Sequence, residues 1–173
     1  MRKRSTRKIL KDNLNRTSPL RDHFILWLHN IRSLHNVGAA FRNADAFGVH
    51  KLLLSGFTPR PPRAEITKTA IGAEEHVIWE YTEDIVNEAD ILKKIGYQIV
   101  GLEQTDQSVM LPDYHCSDSK ICLVLGNEVT GIDSELLSML DSAVEIPQFG
   151  MKHSLNVSVA SGVALYGFLQ KLQ

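Results

Sequence analysis

The chain has 173 residues, a net charge of −1 and a hydrophobic content of 43%. These values exclude a disordered polyelectrolyte and are sufficient for one domain with a buried core. No apolar run reaches the roughly 18 residues of a membrane span, and the basic N-terminus lacks the apolar stretch of a signal peptide. The two cysteines are too few for a disulfide framework. We therefore expect a cytoplasmic protein with no membrane partner.

Residues 1–20 carry a concentrated positive charge. Seven basic residues and one acidic residue give this segment a net charge of +6, so residues 21–173 carry −7 within the total of −1. A basic arm on an acidic domain favours a polyanionic partner, although a solubilising or disordered tail would have the same composition. The predicted organisation is a basic N-terminal arm over 1–20 and a single domain over 21–173. The candidate contacts in the arm are Arg2, Lys3, Arg4, Arg7 and Lys8.

Short apolar runs alternate with helical patterns through the rest of the chain. Six runs predict buried strands, at 24–28, 51–54, 76–79, 97–100, 121–125 and 143–146. Apolar spacing and end residues predict helices between them, over 37–47, 84–94, 133–140 and 155–169. The last is apolar on nearly every side, so we expect it to be buried. The alternation predicts an α/β fold with a mainly parallel sheet and flanking helices.

The first polar motif, Asn36-Val-Gly38-Ala-Ala-Phe-Arg42, opens the first of these helices. Asn36 can cap the helix, and Gly38 leaves room for a bulky group at its first turn. Arg42 lies one turn beyond Gly38 at the edge of the apolar stripe, where a guanidinium can hold a phosphate in two-point contact. A cap, a packing glycine and a solvated arginine would explain the same pattern.

The second motif, Gly126-Asn-Glu128-Val-Thr-Gly131, follows the fifth strand. Its glycines have the spacing of a phosphate loop, but Ile132-Asp133 replaces the lysine and hydroxyl residue of that loop. The chain also lacks a Gly-x-Gly-x-x-Gly after a strand, so a dinucleotide site has no support. Glu128 remains as a carboxylate at a strand end, or simply as a surface loop acid.

The third motif, Ile146-Pro-Gln-Phe-Gly-Met-Lys-His-Ser154-Leu155-Asn156, follows the sixth strand. Its proline stiffens the chain and its glycine permits a turn. Ser154 or Asn156 can cap the last helix, and an ordinary helix start is the simplest interpretation.

Two other groups of residues are candidates for binding. Arg60 and Arg63 lie on a proline-rich loop and can contact phosphates, although an ordinary charged loop is equally compatible. His115, Cys116 and Cys122 could be imagined as a zinc site. Because Cys122 lies inside a predicted strand, we expect no metal.

In this order, the three motifs resemble those of the SpoU (TrmH-like) group of the SPOUT superfamily, which are RNA ribose 2′-O-methyltransferases that use S-adenosylmethionine. The resemblance runs from about His23 to Phe168. It implies a deep trefoil knot at the C-terminal end and a homodimer, and we expect the apolar last helix in the interface. It also implies tRNA or rRNA as the substrate, which the arm, Arg60 and Arg63 would help to bind.

The resemblance also implies roles for individual residues. Catalysis would involve Arg42, Asn36, Glu128, Ser154 and Asn156, and the cofactor would contact Leu102, Gly126, Ile146 and Leu155. The family account assigns deprotonation of the ribose hydroxyl to Arg42. A guanidinium has no acceptor and stays charged, so holding a phosphate and stabilising alkoxide charge is physically easier.

Two alternatives remain. A non-catalytic RNA-binding relative would keep the fold, although the intact set of polar motif residues counts against it. A phosphate-loop nucleotide enzyme is disfavoured by the missing lysine.

Overall fold

The computed structural model describes residues 1–116 and 120–172, and its centre is a seven-stranded parallel sheet. The strands are β1 Phe24–His29, β2 Lys51–Ser55, β3 Trp79–Thr82, β4 Tyr97–Leu102, β5 Val109–Met110, β6 Lys120–Leu125 and β7 Ser142–Glu145. Their order across the sheet is β3-β2-β1-β6-β4-β7-β5, and the pairings between neighbouring strands are parallel. The predicted α/β class with a mainly parallel sheet is confirmed.

The described residues also form six α-helices and two short 3-10 turns. The helices are α1 Thr6–Leu14, α2 Leu34–Phe47, α3 Ala64–Ala70, α4 Ile85–Lys94, α5 Ser134–Leu137 and α6 Val157–Lys171. The 3-10 turns are Ala73–Glu75 and Leu111–Asp113. No helix in the described ranges has the length and apolarity needed to cross a membrane.

Strand β1 shows why its run of residues is apolar throughout. Alternate side chains point to opposite faces of a strand. Phe24, Leu26 and Leu28 join a buried cluster with residues of α2 and α6, whereas Ile25 and Trp27 join a second cluster with residues of α4 and α5. Both faces of the sheet are therefore covered, as a parallel sheet requires.

The third strand lies further along the chain than predicted. The sequence pattern placed it at 76–79, but β3 is Trp79–Thr82. The preceding turn accounts for the shift, because Val77 N–H donates to the Ala73 carbonyl at 2.9 Å. The chain reaches the sheet only at Ile78, whose carbonyl accepts from Leu52 N–H at 2.9 Å.

The start of α2 corrects one expectation, the identity of the cap, and shows which group approaches Gly38. Ser33, rather than Asn36, is its N-cap, and the Ser33 side chain accepts from Asn36 N–H at 3.3 Å. Gly38 is buried, and a Cβ at this position would overlap with Thr69 Oγ1 and the Ile66 carbonyl of α3. The space that Gly38 leaves is therefore occupied by α3 and is not open to a ligand.

Helix α6 is only half buried within one chain. Its inner face is anchored by Phe168, whose ring lies 5.2 Å from that of Phe24. Within one chain the expected burial is incomplete, because Val159, Val163 and Tyr166 are 52%, 42% and 55% exposed. Spacings of four and three residues put these three side chains on one outward stripe. Tyr166 lies beside Phe47 of α2, with the ring centroids 6.4 Å apart, yet much of the stripe remains open to solvent.

The N-terminal helix α1 has no buried residue. Ser5 caps it by accepting from Lys8 N–H at 3.3 Å. Contact with the domain begins at Ser18, whose hydroxyl donates to the Phe47 carbonyl, and continues at Leu20, which is fully buried. The ordered contacts thus start a few residues before position 21.

Candidate functional site

A pocket of about 520 Å³ opens at the carboxyl ends of three neighbouring strands. Leu102 ends β4, Leu125 ends β6, and Ile146 follows β7. The loops 126–131 and 153–157 complete its walls. Ligand sites of open parallel sheets lie at this edge, and the volume falls in the ordinary range for small molecules.

Glu128 joins the second motif to the turn that precedes α2. Its carboxylate accepts from Arg32 N–H at 2.9 Å, from Ser33 N–H at 3.0 Å and from Asn36 Nδ2 at 2.9 Å. Partial burial raises the pKa of Glu128, but the hydrogen bonds outweigh burial and hold the pKa below its ordinary value. The group is therefore a carboxylate at neutral pH, placed where the N-terminus of α2 favours negative charge.

Asn36 and Asn156 extend this contact to the third motif. Asn156 Nδ2 donates to Asn36 Oδ1 at 3.2 Å, and Asn156 Oδ1 accepts from Ser158 N–H at 2.8 Å. The sequence left Ser154 and Asn156 as alternative caps of the last helix, and Asn156 is the N-cap of α6. A continuous chain of hydrogen bonds, Glu128–Asn36–Asn156, thus links all three motifs.

The loop after β6 closes on itself. Asn127 and Gly131 exchange two backbone hydrogen bonds of 2.9 and 3.0 Å. A Cβ on Gly126 would overlap with the Gly131 carbonyl and Ile132 N. Gly126 is therefore required by the close approach of two backbone segments, and the turn presents Glu128 to α2.

Two further pocket residues were not identified from the sequence. Glu103 accepts from Ile132 N–H at 2.9 Å, and Gln104 Nε2 donates to the His153 carbonyl at 3.0 Å. Gln148 Nε2 donates to the same carbonyl at 3.3 Å. Glu103 and Gln104 lie within four residues of the end of the predicted strand 97–100, and that position was the signal available for them. They connect the end of β4 to both pocket loops.

A polar network at the end of β1 was also not identified from the sequence. His29 Nε2 lies 2.5 Å from Asp133 Oδ2, and His29 Nδ1 lies 2.7 Å from Ser55 Oγ. Because a carboxylate only accepts, Nε2–H donates to Asp133. In the neutral ring Nδ1 then accepts from the Ser55 hydroxyl, which itself accepts from Trp27 Nε1 at 2.7 Å. Partial burial raises the pKa of Asp133, but the hydrogen bond from His29 and those of its neighbours outweigh it, so the pKa is lowered.

The structure brings most of the expected site residues together. Seven line the pocket, namely Leu102, Gly126, Glu128, Ile146, Ser154, Leu155 and Asn156. Asn36 lies behind them in the hydrogen-bond chain.

Arg42 does not line this pocket. Six residues of helix place it about 9 Å further along the α2 axis than Asn36. It is exposed, and among the described residues it has no side-chain hydrogen bond or ion pair. Its neighbour Asn43 holds α2 to α6, with Nδ2 donating to the Ser158 carbonyl at 2.9 Å.

Family comparison assigns the class of this protein. The SpoU rRNA Methylase family matches residues 23–166, and the chain belongs to this family. It is 34% identical over 142 residues to a 23S rRNA (guanosine-2′-O-)-methyltransferase RlmB of Neisseria meningitidis serogroup B, covering 82% of this chain and 56% of that protein. It is 33% identical over 143 residues to a tRNA (guanosine(18)-2′-O)-methyltransferase of Aquifex aeolicus, covering 82% and 66%. The chain thus spans between about half and two thirds of these relatives.

Solved structures share the fold. The TrmH/SpoU tRNA modifying enzyme of A. aeolicus superposes with a TM-score of 0.79 and 28% identity, covering 94% of this chain and 84% of that chain. An AdoMet-bound rRNA methyltransferase from Sinorhizobium meliloti gives 0.80 and 25%, covering 91% and 59%.

The Glu128 contacts predict a specific response to acid. Because the folded pKa lies below the ordinary value, this group contributes stability above that value and loses it as pH falls through the folded pKa. Glu128→Gln puts an amide donor among three donors, so we expect a loss of roughly 1–2 kcal/mol at neutral pH, allowing for solvent exposure. The loss should shrink towards pH 3, as measured by urea unfolding. Glu83→Gln, an exposed glutamate, is the control, and equal losses for both variants at every pH would contradict the role of Glu128.

Proposed function

We propose that this chain is an S-adenosylmethionine-dependent RNA methyltransferase that methylates a ribose 2′-hydroxyl of tRNA or rRNA. The observation that carries the proposal is the Glu128–Asn36–Asn156 chain, which joins the three family motifs beside one pocket. The names of the relatives support the same reaction class, since they are guanosine 2′-O-methyltransferases of rRNA and tRNA.

The residues of the pocket fit S-adenosylmethionine. Leu102, Ile146 and Leu155 offer apolar walls, and the glycine turn at Gly126 brings backbone close to the cavity. Apolar walls with a few polar groups are the usual composition of a small-molecule site. The bound cofactor would supply a methyl group on a positively charged sulfur. We further propose that the loop between β7 and α6 forms the family's knot.

The reaction requires the ribose oxygen to be aligned and its proton to be removed. Transfer would form the O2′–methyl bond and break the cofactor's carbon–sulfur bond, leaving S-adenosylhomocysteine, and the hydroxyl proton would pass to solvent water. Glu128 is a positioning group in this scheme, because three donors occupy its oxygens. Asn36, Ser154 and Asn156 orient the hydroxyl or the loops around it. Arg42 holds an RNA phosphate and stabilises developing negative charge.

Cofactor binding is the first test of the proposal. By isothermal titration calorimetry, the protein should bind S-adenosylmethionine or S-adenosylhomocysteine and should not bind ATP. Leu155→Trp should abolish the signal, since the indole fills the pocket, while the exposed position of Leu155, 41%, leaves the fold intact. Leu137→Trp, at a residue 38% exposed on α5, is the control. A folded wild-type protein that binds neither ligand would refute the methyltransferase proposal.

Methyl transfer distinguishes the enzyme from a non-catalytic RNA-binding relative. One observation favours that alternative, namely that Arg42 lies outside the pocket lining in one chain. Arg42→Ala should abolish 2′-O-methylnucleoside formation on incubation with tRNA and rRNA, as measured by nucleoside mass spectrometry, and leave cofactor affinity unchanged. Arg42→Lys should restore little activity, because an ammonium cannot make the planar two-point contact. Near wild-type turnover by Arg42→Ala would show that the assigned role is wrong.

The outward stripe of α6 supports a homodimer. Val159, Val163 and Tyr166 present apolar surface on a helix about 22 Å long, and a second copy can cover that surface with the same stripe. Because α2 packs beside α6 through Asn43, Arg42 would lie near this interface. In the proposed dimer, Arg42 lies near a second pocket, where it can hold the RNA phosphate.

Light scattering tests the assembly. The wild type should have about twice the mass of the 19.4 kDa chain at micromolar concentration. Val163→Glu should give monomers, because burying an unpaired carboxylate at the interface is costly. Val86→Glu, at a residue 36% exposed on α4, should remain dimeric. A wild-type mass near that of one chain would contradict the dimer.

We also propose that the basic arm strengthens RNA binding without selecting the target. Its helix α1 is exposed and displays Arg7 and Lys8, with Arg2, Lys3 and Arg4 preceding it. Phosphate contacts of this kind position RNA and carry no sequence information directly.

Free cysteines and an RNA substrate fit a cytoplasmic location. The arm over 1–20 and the domain over 21–173 remain our proposed organisation.

A salt titration tests the arm. Deleting residues 2–16 should weaken binding to cognate and non-cognate RNA alike and flatten the slope of log affinity against log salt, because fewer counterions are released. Cofactor affinity should not change. An unchanged slope would identify a passive tail, and a loss confined to the cognate RNA would show that the arm selects the target.

A further inference from the structure

A second cleft, of about 680 Å³, lies at the far end of the same sheet edge. It is formed by the proline-rich loop that follows β2 and by the side chains of Trp79 and Tyr81 on β3. Among the described residues that line it, none is acidic, and two are arginines, Arg60 and Arg63. Its surface is therefore both aromatic and cationic, a combination suited to a ligand with flat rings and negative charge.

The cleft already contains stacked planar groups. The Arg60 guanidinium lies over the Tyr81 ring, 4.0 Å from its centroid. Tyr81 is held in place because its hydroxyl donates to the Gly56 carbonyl at 2.7 Å. Arg60 is exposed, so its outer face is available to another ring. Phe57, also on the lining, is 60% exposed, which is costly for a large aromatic side chain with no ligand to cover it.

The backbone that carries Phe57 is fixed to the turn beside the first pocket. Phe57 N–H donates to Asn30 Oδ1 at 3.2 Å, and Ile31 N–H donates to Thr58 Oγ1 at 3.1 Å. The next two amides of that turn, those of Arg32 and Ser33, donate to Glu128. The turn 30–33 thus separates the two clefts and is bonded to both. An RNA strand whose ribose lies at the mouth of the first pocket, beside the cofactor, can place another of its nucleotides in the second cleft.

We propose that this cleft binds one unstacked nucleobase of the RNA, on Phe57 and the outer face of Arg60, with Arg63 on an adjacent phosphate. The proposal rests on the function proposed above and adds a second contact site to it. Stacking on aromatic rings and arginine planes is how proteins hold single-stranded bases, and it tolerates any base because each has a flat face. The site therefore orients the RNA strand next to the reacting ribose and does not choose the sequence.

The test uses a nine-nucleotide oligouridylate with one central 2-aminopurine ribonucleotide, because this fluorescent base is quenched when it stacks. Binding to the full wild-type chain should quench the fluorescence. Phe57→Leu keeps apolar bulk and Arg60→Lys keeps charge, yet each removes a flat face. Both should remove most of the quenching and weaken binding by about tenfold. Ile78→Ala, at a residue 59% exposed next to β3 and outside the cleft, should behave as wild type.

The outcomes separate this proposal from the proposed function. Full quenching and affinity in both Phe57→Leu and Arg60→Lys would overturn the base site, and a loss in Arg60→Ala that Arg60→Lys fully restores would reduce the site to a charge contact and also overturn it. Circular dichroism melting confirms that each variant is folded. If the wild type methylates RNA and Phe57→Leu does so with unchanged KM, the base site fails while the function stands. If the quenching pattern appears and the wild type binds no S-adenosylmethionine, the base site stands while the function fails.

Discussion

The arrangement of the site depends on one carboxylate at the end of β6. Glu128 accepts three hydrogen bonds from the turn and first residues of α2. Hydrogen bonds to a charged acceptor are each worth about 1.5–3 kcal/mol, and the exposure of Glu128 to solvent reduces this contribution. Without Glu128, the amides of Arg32 and Ser33 would have no acceptor at the start of the helix. The carboxylate thus sets the position of α2 relative to the pocket loop.

The sheet order brings this carboxylate to its partners. β1 and β6 are neighbours although about a hundred residues separate them, with Leu28 paired to Leu125. The chain leaves both strands at the same edge, so the turn after β1 meets the loop after β6. Gly126 lets that loop fold back on Gly131. Asn36 and Asn156 then carry the connection to α6, and the pocket forms between the three segments.

Much of this architecture is predictable from local pattern. Buried parallel strands are continuous apolar runs, and five of the six runs lie where strands form. The strand predicted at 76–79 was misplaced because an apolar stretch can pack against the core from a turn before the strand begins, as Val77 does. Asn36 was predicted to be a cap because Asn favours that position, yet Ser33 lies three residues earlier and serves it. Local propensity cannot choose between two residues that are both suited to a cap.

Other features depend on contacts between distant segments and left no local signal. Gly38 allows α3 to pack closely on α2, and the sequence predicted a close approach there without showing that the neighbour is another helix. The network of His29, Ser55 and Asp133 joins the ends of β1 and β2 to the N-cap of α5. The polar motif residues singled out by family resemblance lie close together, with the exception of Arg42. Arg42 lies apart from the pocket in a single chain, and the sequence motifs did not reveal this because they carry no distances between segments.

Amide hydrogen exchange tests most directly whether Glu128 couples the three motifs. Wild type and Glu128→Ala should be compared peptide by peptide at neutral pH. Faster exchange is expected together in 31–37 and 157–161, the segments joined through Asn36 and Asn156, while β1 and β6 keep their protection. Faster exchange confined to the loop 127–131, with the starts of α2 and α6 unchanged, would show that the hydrogen-bond chain does not hold the site together.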